Sequence, residues 1–122
     1  MRPDVAPQAA QATTLDLRRA RLWQERAVGL LRGPRLLPGQ GLWMERCRAV
    51  HTIGMRYPIA VFFLDANDRV TSAIGFLRPY SGAIDRTAVS VIETRHVSAG
   101  DLCRAVACVE HSALLVRSRD DV

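Results

Sequence analysis

Six consecutive apolar residues, Ile59–Leu64, form the longest hydrophobic run in the chain. A run of this length without alternation is typical of a strand that is covered on both faces of its sheet. Asp65–Asp68 follow with the composition of a tight turn, because such residues tolerate positive φ or bond their own backbone. Arg69–Phe76 should then return as the partner strand, so the pattern predicts a β-hairpin.

The part of the chain before this hairpin contains one helical pattern and two short apolar segments. Apolar residues recur at roughly helical spacing over Arg18–Leu31, which predicts a helix with Trp23 directed at the sheet. Gly33-Pro34 should end this helix, because glycine and proline commonly follow a helix terminus. Short strands are predicted at Leu42–Met44 and Ala49–Ile53.

The part after the hairpin predicts a loop, a strand, a helix and a final strand. Residues 78–86 form the loop, and Thr87–Glu93 alternates well enough for a strand. Ser98–Cys108 is predicted to be a helix, because Ser98 is a good N-cap residue and Asp101 lies near the positive helix end. His111–Val116 should form the last short strand.

These elements predict a mainly β domain with α+β content, a compact β-sandwich-like fold of antiparallel or mixed strands with two short helices. A length of 122 residues suits a single domain. The globular part is assigned to residues 17–117, after a disordered leader at 1–16 rich in Ala, Gln, Pro and Thr and before a charged tail at 118–122. No signal or membrane-spanning pattern is recognised, so we expect a cytoplasmic protein without membrane contact.

The positive charge of the chain is unevenly distributed. All 17 basic residues are arginine, and Arg18–Arg56 contains nine of them with two acids, a net charge of +7 against −2 for the rest. Such a field could attract a small anion, an acidic protein partner or nucleic acid, or it could be a solvated face with internal ion pairs. Nucleic acid is the least favoured partner, because neither a recognition helix nor alternating basic and aromatic strand positions occur.

Cysteine and histidine spacing predicts neither a disulfide framework nor a metal site. The three cysteines, Cys47, Cys103 and Cys108, have no paired spacing. C-x-x-C and H-x-x-x-H motifs do not occur, so no metal or other cofactor is expected. A catalytic Cys47–His51 pair is disfavoured, because four residues of extended chain separate the side chains by about 13 Å. We therefore assign no catalytic residue.

Several motifs lie together in the middle of the chain: LPGQGL at Leu37–Leu42, CRAVHT at Cys47–Thr52, MRYPI at Met55–Ile59 and VFFLD at Val61–Asp65. In these motifs, over about Arg18–Gly100, the chain resembles the bacterial and archaeal family named domain of unknown function 192. The resemblance implies a compact, mainly β, sandwich-type fold, and no enzymatic activity is established for the family. The family usually has Asp where this chain has Ala60, which puts a carboxylate-dependent role of that position in doubt.

The candidate ligand-binding residues come from this block and from the loop that follows the hairpin: His51, Thr52, Met55, Arg56 and Arg78. Histidine titrates near neutrality, threonine hydrogen-bonds, and arginine clamps anions, so these residues could bind a small anion. The preferred hypothesis is a non-enzymatic binding or accessory module. The alternatives are an enzyme acting on a small anionic substrate with His51 as acid/base, and an arginine-mediated nucleic-acid contact. His51 and Arg56 could instead bond backbone carbonyls and brace the Gly54–Pro58 corner.

Overall fold

The computed structural model of the chain describes residues 14–20 and 36–120. The strands in this part are β1 (Asp16–Ala20), β2 (Gln40–Glu45), β3 (Ala49–His51), β4 (Ile59–Leu64), β5 (Val70–Leu77), β6 (Gly82–Ile84) and β7 (Ser90–Arg95). A short 3-10 turn, Ala99–Asp101, leads into helix α1 (Leu102–Asp120). None of the helices in the described ranges is long and apolar enough to cross a bilayer.

Five strands form one mixed sheet in the order β1-β2-β7-β4-β5, and β3 and β6 form a separate two-stranded ribbon. The β1–β2 pair is parallel, whereas all other neighbours in the sheet are antiparallel. All six residues of β4 are buried. The prediction of a strand over Ile59–Leu64 that is covered on both faces is therefore confirmed, as is its hairpin partner β5.

Two separate apolar clusters cover the two faces of the sheet. On one face, Val109 and Ala113 of α1 pack with Trp43, Phe62 and Ile92. On the other face, the ribbon and the residues beside it contribute a second cluster that includes Val50, Met55, Val61, Phe63 and Val91. Side-chain alternation along β4 and β7 sends successive residues to opposite clusters, so both strands need a cover on each side.

Trp43 connects the strands to the end of the helix. The indole is completely buried, and its Nε1 donates to Ser90 Oγ at 3.0 Å. The guanidinium groups of Arg19 and Arg117 lie over the ring, 5.1 Å and 4.5 Å from its centroid. Cation–π attraction from Arg19 of β1 and Arg117 of α1 thus adds to the apolar packing around Trp43.

Arg117 also ties α1 to two other elements. Its guanidinium donates to Asp68 in the β4–β5 turn at 2.8 and 3.3 Å and to Glu45 at the end of β2 at 3.2 Å. The hydrogen bonds to Asp68 are the main reason that the pKa of Arg117 is raised above its ordinary value. This network fixes the last turns of α1 against the sheet.

Two of the predicted elements are wrong in the described part of the chain. Arg18–Ala20, the start of the predicted helix, belongs to β1, because these residues pair in parallel with Leu42–Met44. The rest of that helix, with Trp23, lies outside the described residues. His111–Val116 is helical and not a strand, because α1 continues past Cys108 and places Val109 and Ala113 on the sheet.

The fold class is confirmed as mainly β with a mixed sheet, but its finer features are not. A second sheet of comparable size is not present among residues 14–20 and 36–120, where the sheet is covered by one α-helix and by a two-stranded ribbon. The β-sandwich and the second helix are therefore not confirmed. The predicted loop at 78–86 contains strand β6, and the domain limits at 17 and 117 stay predictions, with β1 beginning at Asp16 and α1 ending at Asp120.

Replacing Arg117 by glutamine tests the helix anchor. Arg117→Gln should lower the free energy of unfolding by about 1–2 kcal/mol, because charge-assisted hydrogen bonds and the stacking on Trp43 are lost from a half-exposed site. Urea denaturation followed by circular dichroism measures the change. Arg119→Gln, on the exposed side of the same helix, should change stability by less than about 0.5 kcal/mol. Equal losses in the two variants would contradict the anchoring role.

Candidate functional site

The predicted site begins where β3 runs into a tight turn. The N–H of Met55 donates to the carbonyl of Thr52 at 3.1 Å, which closes a four-residue turn. Gly54, the third residue of this turn, has a φ of 87°. A positive φ at that position is what a type II turn requires, and glycine adopts it without steric cost.

Thr52 joins this turn to the loop that follows β5. Its N–H donates to Ser81 O at 2.9 Å, and its hydroxyl donates to Arg78 O at 2.7 Å and accepts from the Ser81 N–H at 2.9 Å. Its carbonyl accepts from the Tyr80 N–H at 3.0 Å in addition to that of Met55. Thr52 is fully buried, and its backbone and hydroxyl all bond within the protein. It positions the neighbouring residues.

The five predicted residues are brought to the same region but differ in exposure. Thr52 and Met55 are buried, and Met55 is part of the apolar cluster beneath the ribbon. His51, Arg56 and Arg78 are exposed. Thr52 and Met55 are therefore interior residues, whereas His51, Arg56 and Arg78 are accessible to a partner. Ligand binding by any of the five residues stays a prediction.

Among the described residues, the exposed arginines make no polar contact that would brace the corner. Within the described ranges, the side chains of Arg56 and Arg78 form neither an ion pair nor a hydrogen bond. The Nδ1 atom of His51 accepts a hydrogen bond from the Ile53 N–H at 3.3 Å. Thr52 contributes hydrogen bonds that hold the start of this corner against the next loop.

Three large apolar side chains are exposed beside these polar groups, namely Ile53 (59% exposed), Tyr80 (71%) and Ile84 (65%). In the ribbon, Ala49 pairs with Ile84 and His51 with Gly82, whereas Val50 and Ala83 face the core. We call the outward face of the ribbon and its flanking residues the ribbon surface: His51, Ile53, Arg56, Arg78, Tyr80 and Ile84. Sequence reasoning missed its apolar members, since nothing local marks Ile53 or Ile84 as exposed.

Tyr80 has a strained backbone on this surface. Its φ is 57°, a left-handed conformation that costs a non-glycine residue on the order of 1–3 kcal/mol. The hydrogen bond from its N–H to Thr52 O and those of the adjacent Ser81 hold it there. The aromatic side chain at this position is exposed, two residues after Arg78.

Asp85 attaches the ribbon to the main sheet. Its carboxylate accepts hydrogen bonds from the hydroxyls of Ser72, Thr87 and Thr71 at 2.6, 2.6 and 2.7 Å and from the Thr87 N–H at 2.9 Å. These hydrogen bonds, first of all that of Ser72, hold the pKa of Asp85 far below its ordinary value of 3.8. The carboxylate is thus engaged with β5 and with its own turn.

A concave feature lies on the opposite face of the sheet. A cavity of about 350 Å³ separates α1 from the sheet where β2 begins and β7 ends. Its lining includes Phe62, Arg95, His96, Ala105, Cys108 and Val109, and none of the five predicted site residues. In the part of the chain that the structure describes, no three His, Cys, Asp or Glu side chains are grouped closely enough to hold a metal ion.

Comparison with known proteins identifies relatives of uncharacterised function. The family model DUF192, described as "Uncharacterized ACR", matches residues 5–102. No curated protein matches the chain. A protein of unknown function from Novosphingobium aromaticivorans DSM 12444 has a similar structure, with a TM-score of 0.59 and 19% identity over 67% of this chain and 64% of that one. This chain therefore spans less than two thirds of that relative.

A second solved structure is similar to the same extent. It is a protein from Sinorhizobium meliloti 1021 described as a "putative transcription regulator", with a TM-score of 0.58 and 18% identity. The similarity covers 67% of this chain and 69% of that one. At these identities, both comparisons show a shared fold alone.

The buried hydroxyl of Thr52 can be removed without changing the shape of the side chain. Thr52→Val should lower the free energy of unfolding by about 1–3 kcal/mol, because it leaves interior partners such as the Ser81 N–H without their hydrogen bond. Thr52→Ser keeps the hydroxyl and should lose about 1 kcal/mol or less. Chemical denaturation measures both values. If serine is as destabilising as valine, the hydroxyl is not the important group.

The pH dependence of stability tests the role of Asp85. Its folded-state pKa lies below that of the unfolded chain, so its contribution is complete above about pH 4 and is lost as the pH falls towards the folded pKa. Asp85→Asn should therefore be less stable at pH 7 and should lose less stability than wild type between pH 7 and acid. Melting temperatures across this range measure the difference. Asp101→Asn makes the same change of net charge at an exposed position elsewhere and is the control.

Proposed function

The chain belongs to the DUF192 family of uncharacterised proteins, and we propose that it is a non-enzymatic binding module for an acidic protein partner. The partner would bind the ribbon surface, with Arg56 and Arg78 contacting carboxylates. The observation that carries this proposal is that two exposed arginines lacking an ion pair in the described ranges lie in the same two loops as the exposed Ile53 and Tyr80, and Thr52 joins these loops by hydrogen bonds.

The charges of the ribbon surface support an acidic partner. Arginine presents a planar fork of donors that matches a carboxylate in a bidentate arrangement. Arg56 and Arg78 have this fork available, because no described acid pairs with either. Asp85, an acid at the end of the ribbon, accepts hydrogen bonds from Ser72 and Thr71 of β5. A carboxylate supplied by a partner would complement the two guanidinium groups.

The apolar side chains support a protein partner in particular. Tyrosine and arginine are enriched in the cores of protein interfaces and dominate their binding energy. Tyr80 is exposed, and its N–H bonds to the carbonyl of Thr52, which precedes the exposed Ile53, so burial of this region by a partner would remove apolar area from water. The hydrogen bond from the Tyr80 N–H to Thr52 O fixes the backbone at this position, so binding would need less ordering of the main chain.

Other classes of ligand fit the ribbon surface less well. A small anion is usually enclosed in a concave pocket, whereas His51, Arg56 and Arg78 are on an exposed surface and the cavity lies on the other face of the sheet. The same argument counts against an enzyme that uses His51 as acid/base. Nucleic acid favours dense cations with stacking aromatics, and aliphatic residues such as Ile53 and Ile84 contribute neither.

Fluorescence anisotropy with a labelled glutamate- and leucine-rich peptide tests the proposal. The double variant Arg56→Gln/Arg78→Gln should weaken binding about a hundredfold or more, because each lost charge-assisted contact is worth about 1.5–3 kcal/mol and about 1.4 kcal/mol corresponds to tenfold. Tyr80→Ala should weaken binding as well. The double variant Arg104→Gln/Arg119→Gln makes the same change of net charge on α1 and should bind the peptide as wild type does.

The comparison with nucleic acid uses duplex DNA in the same assay. Under the proposal, the peptide competes effectively with DNA, and the difference between the two double variants persists at physiological salt. Equal weakening by both double variants would show a general charge effect and contradict the proposal. Tighter DNA binding with a steep decline as salt rises would replace it with the nucleic-acid alternative.

A further inference from the structure

We infer that the acidic protein partner binds as an extended strand that pairs with the outer edge of β6 (Gly82–Ile84), which rests on the proposed function and adds the conformation of the bound segment. The ribbon has only two strands, so each strand has one edge towards the other strand and one outer edge. Backbone groups on an unpaired outer edge are a template for a further strand, and many proteins bind extended peptides in this way.

Hydrogen bonds beyond both ends of the ribbon show how its ladder alternates. The Thr52 N–H donates to Ser81 O at 2.9 Å, and the Asp85 N–H donates to Arg48 O at 2.9 Å. Both pairs continue the antiparallel register of the ribbon, one at each end. Thr52–Ser81 and Arg48–Asp85 are therefore hydrogen-bonded pairs of the ladder.

The alternation fixes the direction of the backbone groups of β6. Hydrogen-bonded and non-hydrogen-bonded pairs follow each other in an antiparallel ladder. Ala49–Ile84 and His51–Gly82 are each one residue away from a hydrogen-bonded pair, so they are the non-hydrogen-bonded pairs. The N–H and C=O groups of Gly82 and Ile84 therefore point away from β3. None of these four groups bonds to a described residue.

These backbone groups are accessible to a partner. Gly82 and Ile84 are both exposed, and the exposed area of a glycine belongs to its backbone. The missing Cβ at Gly82 lets another backbone approach closely. β6 contains neither a proline nor a charged residue, which are the features by which edge strands commonly resist pairing.

The outer edge of β6 fits an acidic partner better than that of β3 does. On β3, the carbonyl of Ala49 already accepts a hydrogen bond from the Cys47 thiol at 3.1 Å. On β6, the ladder continues past Gly82 to the Thr52–Ser81 pair, and the Thr52 hydroxyl donates to the carbonyl of Arg78 at 2.7 Å. A strand paired with β6 therefore runs towards the loop of Arg78, where its carboxylates can meet the guanidinium group.

Amide hydrogen exchange followed by NMR tests the pairing, with a peptide of alternating glutamate and leucine as the probe. At about ten times its Kd, the peptide should slow exchange of the Gly82 and Ile84 amides about tenfold, because only the unbound protein exposes them. The Ala49 amide, on the opposite edge of the ribbon, should exchange as in the free protein. Unchanged exchange at Gly82 and Ile84, or equal slowing at Ala49, would overturn the inference.

Proline variants test the contribution of a single donor by fluorescence anisotropy. Ile84→Pro removes an N–H that bonds to no described residue, and edge strands tolerate proline at such positions. It should weaken peptide binding about three- to tenfold more than Ile84→Ala, which removes the side chain but keeps the N–H. Ala49→Pro makes the matched change on the opposite edge and should bind as wild type does. Equal binding by Ile84→Pro and Ile84→Ala would contradict the pairing.

The outcomes distinguish failure of the strand pairing from failure of the proposed function. Peptide binding that requires Arg56 and Arg78 but leaves Gly82 and Ile84 unprotected would support the proposed function and overturn the pairing. Absence of peptide binding would overturn both. A dimer, detected by light scattering without peptide, that dissociates in Ile84→Pro would show that a second copy of the chain occupies this edge, and would overturn the assignment to a partner.

Discussion

The burial of β4 on both faces is the constraint on which the rest of the fold depends. Neither face of a strand built from six apolar residues can remain in contact with water, so the sheet needs one cover on each side. Helix α1 covers the face of Phe62, and the ribbon covers the face of Phe63. The helix and the ribbon are attached to the sheet by different contacts, and they expose different residues to solvent.

Helix α1 is attached by its apolar face, with Val109 and Ala113 in the core, and at its C-terminal end by Arg117, which joins Asp68, Glu45 and the ring of Trp43. The ribbon is attached by hydrogen bonds that return to the backbone or to β5, through Thr52 and Asp85. The ribbon can be short because these polar side chains hold it to the sheet, so it does not need a large apolar face of its own. Its outward residues are consequently available for contacts with other molecules.

Local sequence patterns predicted the elements whose structure depends on residues close in the chain. The continuous apolar run Ile59–Leu64 and the turn after it predicted β4 and its hairpin, because hairpin pairing requires little else. Pairing of β1 with β2 is not local, so helical spacing at Arg18 was misleading. The strand predicted at His111–Val116 failed because a short apolar run does not distinguish a strand from a helix that packs through Val109 and Ala113.

The candidate site could likewise be predicted only as far as it depends on residues close in the chain. His51, Thr52, Met55 and Arg56 could be predicted as one block because they are consecutive or nearly so, but the side of the chain that each occupies depends on the turn at Gly54 and on bonds to Ser81. The cavity could not be predicted, because helix packing brings Cys108 towards the end of β7. Alternation along β7 puts Ile92 under the helix, and Arg95 and His96 lie where the strand leaves the core. Arg95 and His96 border the cavity because β7 ends at Arg95 and the chain leaves the sheet there.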